Sequence, residues 1–236
     1  MGILHTFLLV LVGSLGSLAL EGLTGKAFVF PVATNTAHVV LEPTIQRPLT
    51  SFTVCMEVYT ELTRAYSLFS YASKRDANEI LLYFAKPYQY SFHVGGQSVI
   101  FNVPQKFSNS PGGEHVCASW ESVTGLVELW VNGQPLVRKS LRRGYSVSAE
   151  ASIILGQEQD SYGGGFDSNQ SLVGEITNVY MWNRVLSPDE VVSAWQDHPR
   201  PGNLINWKLL SYDVVGNVFV KPALLSVRSA LYNATI

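Results

Sequence analysis

The feature that most constrains the fold is a series of short apolar segments separated by turn residues. Residues 52–59 (FTVCMEVY) place an apolar side chain at every second position, which is the pattern of a half-buried strand. Gly95-Gly96 and Asn132-Gly133 each lie between two such segments and predict hairpins. Many short strands at this spacing predict an all-β domain of the two-sheet jelly-roll type.

One helix is predicted among these strands, at about residues 188–196. Ser187 can cap its first turn, Pro188 suits the first helical position, and the acidic pair Asp189-Glu190 favours the positive end of the helix. We find no internal repeat and no linker, so the 236 residues suit one large domain.

The first residues have the pattern of a secretory signal peptide, residues 1–19. Residues 8–12 form its apolar centre, and Ser17 and Ala19 have the small side chains that a cleavage site needs. The apolar run is too short, and too interrupted by glycine, for a membrane span. We therefore expect a secreted, extracellular domain of residues 20–236 without a transmembrane segment.

The net charge of −2 gives no reason to expect nucleic-acid specificity or attachment to anionic membranes. A local basic group is interpreted as solvated surface; it consists of Arg138, Lys139, Arg142 and Arg143.

Two cysteines are present, Cys55 and Cys117. An even number in an oxidising compartment predicts one disulfide, and two buried free thiols are the alternative. The sequence around Asn233 predicts a glycosylation acceptor, which would make the chain a glycoprotein.

Residues 154–174 (ILGQEQDSYGGGFDSNQSLVG) concentrate oxygen-bearing side chains around a glycine-rich turn. The polar residues of interest are Glu158, Gln159, Asp160, Asp167 and Gln170. Hard cations prefer carboxylate, amide and main-chain oxygen ligands, and the spacing is not that of an EF-hand. The segment predicts a calcium site of one or two ions that is also the ligand-binding site.

Residues 115–122 (HVCASWES) match the pentraxin signature His-x-Cys-x-Ser/Thr-Trp-x-Ser/Thr. Further similar segments are residues 26–31 (KAFVFP), 64–71 (RAYSLFSY), 156–164 (GQEQDSYGG), 170–176 (QSLVGEI) and 204–207 (LINW). The mature chain thus resembles a short pentraxin of the C-reactive protein and serum amyloid P component type. The resemblance implies a flattened, lectin-like jelly roll, a Cys55–Cys117 disulfide, a homo-oligomeric ring of five subunits and two calcium ions per subunit.

The resemblance also implies a set of calcium ligands: Asn78, Glu158, the main-chain carbonyl of Gln159, Asp160, Asp167 and Gln170. The family has an Asp-Asn pair where this chain has Ala77-Asn78, and an aspartate stands one residue earlier, at Asp76. A shift of one residue along an extended chain turns a side chain to the opposite face, although in a loop Asp76 could still reach the ion. We expect the first calcium site to be weakened by Ala77, with Asp76 as an additional candidate ligand.

Leu81 and Tyr83 align with the hydrophobic pocket in which the family holds the group attached to a phosphate. Ser98 stands where the choline-binding acidic residue would be. Phosphocholine, phosphoethanolamine and carboxylate-bearing sugars are therefore all candidate ligands. Because three carboxylates do not neutralise two calcium ions, open coordination positions would favour a ligand oxyanion.

The resemblance further names complement and Fc receptors as candidate partners. At the family's complement-contact face this chain has Asn132 in place of an aspartate and Trp195 in place of a tyrosine. Complement activation therefore does not follow from the resemblance.

An enzyme is not predicted. Glu158 and Asp160 would share a strand face as paired carboxylates, but the further glutamate that related hydrolases need is Tyr162 here. No Ser-His-Asp or Cys-His arrangement stands out.

The predicted function is calcium-dependent, multivalent recognition of phosphorylated or anionic groups on microbial or damaged-cell surfaces, in innate immunity and as an acute-phase protein. The alternative is a secreted structural or carrier protein in which calcium only stabilises the loop.

Overall fold

The structure is a computed structural model that describes residues 22–43, 45–108 and 113–224. The predicted signal peptide, residues 1–19, and the predicted glycosylation acceptor Asn233 lie outside the described residues.

The described strands are β1 (Lys26–Phe30), β2 (His38–Leu41), β3 (Ser51–Tyr59), β4 (Tyr66–Ser73), β5 (Ile80–Lys86), β6 (Gln89–Val94), β7 (Gln97–Asn102), β8 (Glu114–Glu121), β9 (Leu126–Val131), β10 (Gln134–Pro135), β11 (Lys139–Ser140), β12 (Ala151–Leu155), β13 (Gly174–Trp182), β14 (Ile205–Asn206), β15 (Tyr212–Val215) and β16 (Phe219–Pro222). The described helices are α1 (Gln105–Ser108), α2 (Pro188–Trp195) and a 3₁₀ turn (Trp207–Leu209).

The strands form two antiparallel sheets. One sheet has nine strands: its main order is β10-β9-β8-β3-β13-β1-β16, and β11 and β14 pair with β9 and β13. The other has the order β15-β2-β12-β4-β5-β6-β7. The fold is the predicted all-β, two-sheet jelly roll, and both predicted hairpins are present, as β6–β7 and β9–β10.

Aromatic side chains fill the space between the sheets. The ring of Phe52 lies 6.1 Å from that of Phe92 in the opposite sheet and 5.9 Å from that of Trp120, and all three are fully buried. Burial of such rings provides a large part of the hydrophobic stabilisation of a sandwich. The predicted alternation of β3 is confirmed on this inner face.

The outer face of β3 is buried as well, which the alternation did not predict. Cys55 and Glu57 are buried there, and Cys55 lies directly opposite Cys117 of β8. The two cysteines form the expected disulfide.

The predicted helix is confirmed as α2. Ser187 accepts a hydrogen bond from the Glu190 N–H while the Glu190 carboxylate accepts one from the Ser187 N–H, a capping box. Hydrogen bonds from the Arg184 guanidinium lower the pKa of Glu190 to about 2. The side chain of Trp195 packs against the β9–β10 turn, so closely that a Cβ added at Gly133 would lie 2.6 Å from the Trp195 ring.

Candidate calcium-binding and ligand-binding site

The segment between β12 and β13 leads from one sheet to the other and folds back against the seven-stranded sheet. The side-chain amide of Gln159 donates to the carbonyls of Ser70 on β4 (3.0 Å) and Ser152 on β12 (3.1 Å). Its amide oxygen accepts the Gly163 N–H at 2.9 Å. The Gln159 side chain is thus used to anchor the loop, and its main-chain carbonyl remains the candidate ligand.

The beginning and the middle of this loop have further anchors. The Gln157 amide donates to the carbonyls of Thr34 (2.7 Å) and Ala37 (3.0 Å). The Phe166 ring lies 4.8 Å from the His38 ring on β2. Contacts to β2, β4, β12 and the β1–β2 connection hold the loop in one place.

The end of the loop is clamped by an arginine. One nitrogen of Arg64 donates to the carbonyls of Asn169 (3.1 Å) and Ser171 (2.7 Å). The Ser67 N–H of β4 donates to the Gln170 carbonyl at 2.9 Å. These bonds place the Gln170 side chain beside β5.

Three oxygen atoms at this site are buried without a hydrogen-bond partner: Asn78 Oδ1, Glu158 Oε2 and Gln170 Oε1. Against the larger effect of burial, the Asn78 side chain lowers the pKa of the Glu158 carboxyl, and the Gln170 side chain lowers that of the Tyr83 phenol, so each amide lies beside its neighbour. The oxygen of each amide is nevertheless buried and unpaired. Buried polar atoms are rarely unpaired, and carboxylate and amide oxygens are the ligands that calcium prefers, so these residues fit a calcium ion.

The electrostatics of Glu158 point the same way. Burial, reinforced by the negative charge of Asp160, raises the pKa of Glu158 to about 7, although the Asn78 amide opposes the shift. A carboxylate is costly at this position unless a positive charge accompanies it.

Asp160 and Asp167 are exposed on the loop. Asp167 Oδ1 accepts hydrogen bonds from the N–H and the side-chain amide of Asn169, at 2.9 and 3.0 Å. Among the described residues, no three acidic side chains have carboxylate oxygens within 4.8 Å of one another.

Asp76 lies against the β6–β7 turn. Its Oδ1 accepts the Asn78 N–H at 2.8 Å, and a Cβ at Gly96 would lie 2.3 Å from its Oδ2. The carboxylate is thus engaged with the backbone of its own turn and with the glycine of the neighbouring hairpin. Ala77 lies half-buried between Asp76 and Asn78.

The two predicted pocket residues lie on the outer face of the seven-stranded sheet, since the alternate residues Ile80, Leu82 and Phe84 belong to the core. Leu81 is buried and Tyr83 is half-buried; burial, together with the charge of Glu158, raises the pKa of Tyr83.

The register of β5, β6 and β7 places Ser98 on this face and adds two residues that the sequence did not indicate, Ser91 and His93. Leu81 lies opposite His93, Tyr83 lies opposite Ser91, and His93 lies opposite Ser98. Ser91 Oγ and His93 Nε2 are 2.7 Å apart. The predicted hairpin around Gly95-Gly96 could have identified them, because residues two apart on a strand share a face.

A second missed feature is Glu79, which is fully buried next to Asn78. Its carboxylate accepts hydrogen bonds from Ser73 Oγ (2.9 Å), Arg75 Nη2 (2.9 Å), Tyr145 Oη (3.0 Å) and the Ser148 N–H (2.7 Å). Glu79 thus joins the β4–β5 connection, which carries Asn78, to the segment before β12. Nothing in the sequence distinguishes a buried glutamate from an exposed one.

The basic residues make contacts within the chain. Arg138 forms an ion pair with Glu128 at 2.6 Å, and Lys139 and Arg142 lie over aromatic rings.

Comparisons with known proteins give consistent results. The model of the Pentaxin family matches residues 26–222. The chain is 55% identical to human C-reactive protein over 201 residues, which cover 84% of this chain and 88% of that protein. It is 47% identical to human serum amyloid P-component over 213 residues, which cover 90% and 94% of the two chains.

Among solved structures, a native heptameric SAP-like pentraxin from Limulus polyphemus has the same fold, with a TM-score of 0.74 and 23% identity. The match covers 84% of this chain and 95% of that chain. Within the described residues, no helix has the length and apolar character needed to cross a membrane.

Proposed function

Because the chain belongs to the pentaxin family, we propose that it is a secreted recognition protein that binds phosphorylated or anionic groups in a calcium-dependent manner. Its relatives include C-reactive protein and serum amyloid P-component, which are recognition proteins and not enzymes. This chain is likewise a recognition protein and not an enzyme. The observation that carries the proposal is the group of three buried, unpaired oxygens of Asn78, Glu158 and Gln170.

Two calcium ions per subunit would be held by Asn78, Glu158, the Gln159 carbonyl, Asp160, Asp167 and Gln170. The anchoring of the loop through Gln159 and Arg64 supports this set, since it holds the ligands before an ion arrives. Bound calcium supplies open coordination positions for a ligand oxyanion.

The first of the two sites is the one to which the family's Asp-Asn pair contributes. Ala77 contributes no oxygen side chain, and Asp76 is engaged with the Asn78 N–H and packed against Gly96. We propose that Asp76 does not replace the missing ligand, so the first ion binds more weakly than in family members that carry the Asp-Asn pair.

The outer face of β5 and β6 would contact the group attached to the oxyanion. Leu81 and Tyr83 provide an apolar surface, and Ser91, His93 and Ser98 border it with hydrogen-bonding groups. Phosphocholine, phosphoethanolamine and carboxylate-bearing sugars are the proposed ligands. None of these bordering residues is a carboxylate that would select a quaternary ammonium.

We further propose that residues 1–19 are removed on secretion, that the mature domain spans residues 20–236, and that Asn233 is glycosylated. The mature chain would form a homo-oligomeric ring, a pentamer, that presents several weak sites to one surface and gains affinity through multivalency. Complement and Fc receptors are the candidate protein partners. The proposed setting is innate immunity, with the chain as an acute-phase protein.

The proposal is tested by retention on phosphocholine and phosphoethanolamine resins. We expect retention with calcium, release by EDTA, and loss of retention in Asp160→Ala. Asp213→Ala, an exposed aspartate on β15, is the matched control and should bind like the unaltered chain.

Retention that survives both EDTA and Asp160→Ala would contradict the calcium bridge. Protection of the loop from proteolysis by calcium, without retention on any anionic resin, would instead favour the structural or carrier role.

A further inference from the structure

A cavity lies at the end of β13 that is remote from the calcium loop. It has a volume of about 500 Å³ and lies between the connection from β2 to β3 and the segments after β13. The nine residues of β13, at about 3.3 Å per step, separate it from the calcium loop by about 26 Å of strand. The volume falls within the range of about 300–1,000 Å³ that is common for small-molecule sites. The cavity shares no described lining residue with the candidate calcium site or with the surface around Leu81 and Tyr83.

One wall of the cavity is the connection before β3, which carries Arg47 and Thr50. Two main-chain hydrogen bonds of 2.9 Å between Leu49 and Val147 fix this connection, and the Leu49 side chain is buried. Arg47 is exposed, and it forms no ion pair with any other described residue. It is also the only charged side chain among the described residues that line the cavity. An unpaired guanidinium at the edge of a cavity favours an anionic ligand, above all a carboxylate that it can hold through two parallel hydrogen bonds.

The other wall contains a pair of asparagines, Asn183 and Asn203. The side-chain amide of Asn203 donates to Asn183 Oδ1 at 2.7 Å, and the Asn183 N–H donates to Asn203 Oδ1 at 3.1 Å. Ser51 Oγ donates to the Asn183 carbonyl at 3.2 Å and so joins the two walls. Both amide oxygens are thus already acceptors, whereas the Asn183 amide nitrogen has no partner among the described residues. The pair offers fixed N–H donors to a ligand, as hydroxyl oxygens require.

We propose that this cavity binds a sugar unit that carries a carboxylate, and that it does so without calcium. Arg47 pairs with the carboxylate, and the amides of Asn183 and Asn203 donate to hydroxyl oxygens. Ile45 and Leu204 line the cavity and pack against the core, and they provide apolar surface for the C–H groups of the sugar ring. No carboxylate is among the described lining residues, so nothing here would hold a calcium ion.

This site and the calcium-dependent site can be distinguished by their ligands. Phosphocholine has no hydroxyl groups for the asparagine amides, and its quaternary ammonium carries the same charge as Arg47. Release from a phosphocholine resin by EDTA is therefore expected whether or not the second cavity is occupied. Conversely, binding of an acidic sugar in EDTA does not depend on the calcium loop.

The test is calorimetric titration of the full chain with glucuronic acid in excess EDTA, with glucose as the neutral probe. We expect saturable binding of glucuronate at one site per chain and at least about 10-fold weaker binding of glucose, because hydrogen bonds to charged groups are the stronger ones. Arg47→Gln should weaken glucuronate binding by about 10-fold or more and leave glucose binding nearly unchanged. Arg143→Gln removes another exposed arginine, one that does not line the cavity, and should bind both sugars like the unaltered chain.

Asn183→Ala is a second variant, which removes a donor that both sugars use, so it should weaken the binding of both. Arg47 and Asn183 are exposed, and urea unfolding should confirm that both variants are folded. Absence of saturable glucuronate binding, equal affinity for glucose, or unchanged glucuronate affinity in either variant would each overturn the proposal. Glucuronate binding that appears only when calcium replaces EDTA would assign the sugar to the calcium loop and would also overturn it.

Discussion

Replacing Glu79 with alanine should cause a large loss of stability, because this carboxylate is the acceptor for four donors in a buried position. Arg75 is 55% exposed and can turn to water after the substitution. Ser73 is buried and the Ser148 N–H is partly buried, so these two donors lose their partner with little access to water. Each such group costs about 1–3 kcal/mol, which gives about 4 kcal/mol for the two.

The assay is urea-induced unfolding followed by tryptophan fluorescence, at a fixed chain concentration and with EDTA, so that ion binding does not contribute. Glu79→Gln keeps the size and one acceptor oxygen but loses the charge-assisted bonds, so its loss should be about half as large. Glu150→Gln removes a glutamate from an ion pair with Lys74 in which both side chains are more than 60% exposed. This control should leave the transition almost unchanged.

Two results would refute this reasoning. One is an equal loss of stability in Glu79→Ala and Glu150→Gln, which would mean that burial of the carboxylate does not matter. The other is a Glu79→Gln variant as stable as the unaltered chain, which would mean that the charge of the acceptor does not matter.

Three further predictions concern single substitutions. Ala77→Asp should tighten calcium binding by about 10-fold or more in titration calorimetry, because it adds a carboxylate ligand. Asp76→Asn should leave the calcium affinity unchanged. A loss of affinity in Asp76→Asn without a gain in Ala77→Asp would mean that Asp76 is a ligand. Gly133→Ala should lower the free energy of unfolding by about 1–3 kcal/mol, because the φ angle of residue 133 is +73° and the new Cβ would lie 2.6 Å from the Trp195 ring. An unchanged urea midpoint would contradict this prediction. Glu190, with its pKa lowered to about 2, stabilises the fold above the ordinary carboxyl pKa and loses that effect as the pH falls. The unaltered chain should therefore have a slightly larger free energy of unfolding in urea than Glu190→Gln at neutral pH, and this difference should shrink toward about pH 3. A difference that stays constant with pH would contradict the prediction.

The sequence predicted the class of fold because local signals were strong. Alternation in residues 52–59 and turn residues at Gly95-Gly96 and Asn132-Gly133 act within a few residues, so they can be recognised without the tertiary structure. It did not predict β15, where Val214 and Val215 are both exposed, because two adjacent exposed apolar residues do not alternate. It also could not place β3 between β8 and β13, since pairing of distant strands is not a local property.

The candidate site followed a similar division. Residue types and the family resemblance named Asn78, Glu158 and Gln170, and the structure leaves an unpaired buried oxygen on each. The anchors of the site were missed: Arg64 acts through main-chain carbonyls, and Glu79 through burial. Both depend on which segments meet in space.

The register of the seven-stranded sheet has a consequence for how binding preference can diverge. Leu81 and Tyr83 are held by strands whose backbone pairs on both sides, whereas most of the candidate ion ligands belong to the connection after β12. In the proposed function, chemical selectivity and ion affinity would therefore depend largely on different parts of one surface. Exchanges at the outward positions of β5 and β6 other than Tyr83, which interacts with Gln170, would change which molecules are accepted while the ion-holding part stays as it is. Related chains could then acquire new targets without rebuilding their chemistry.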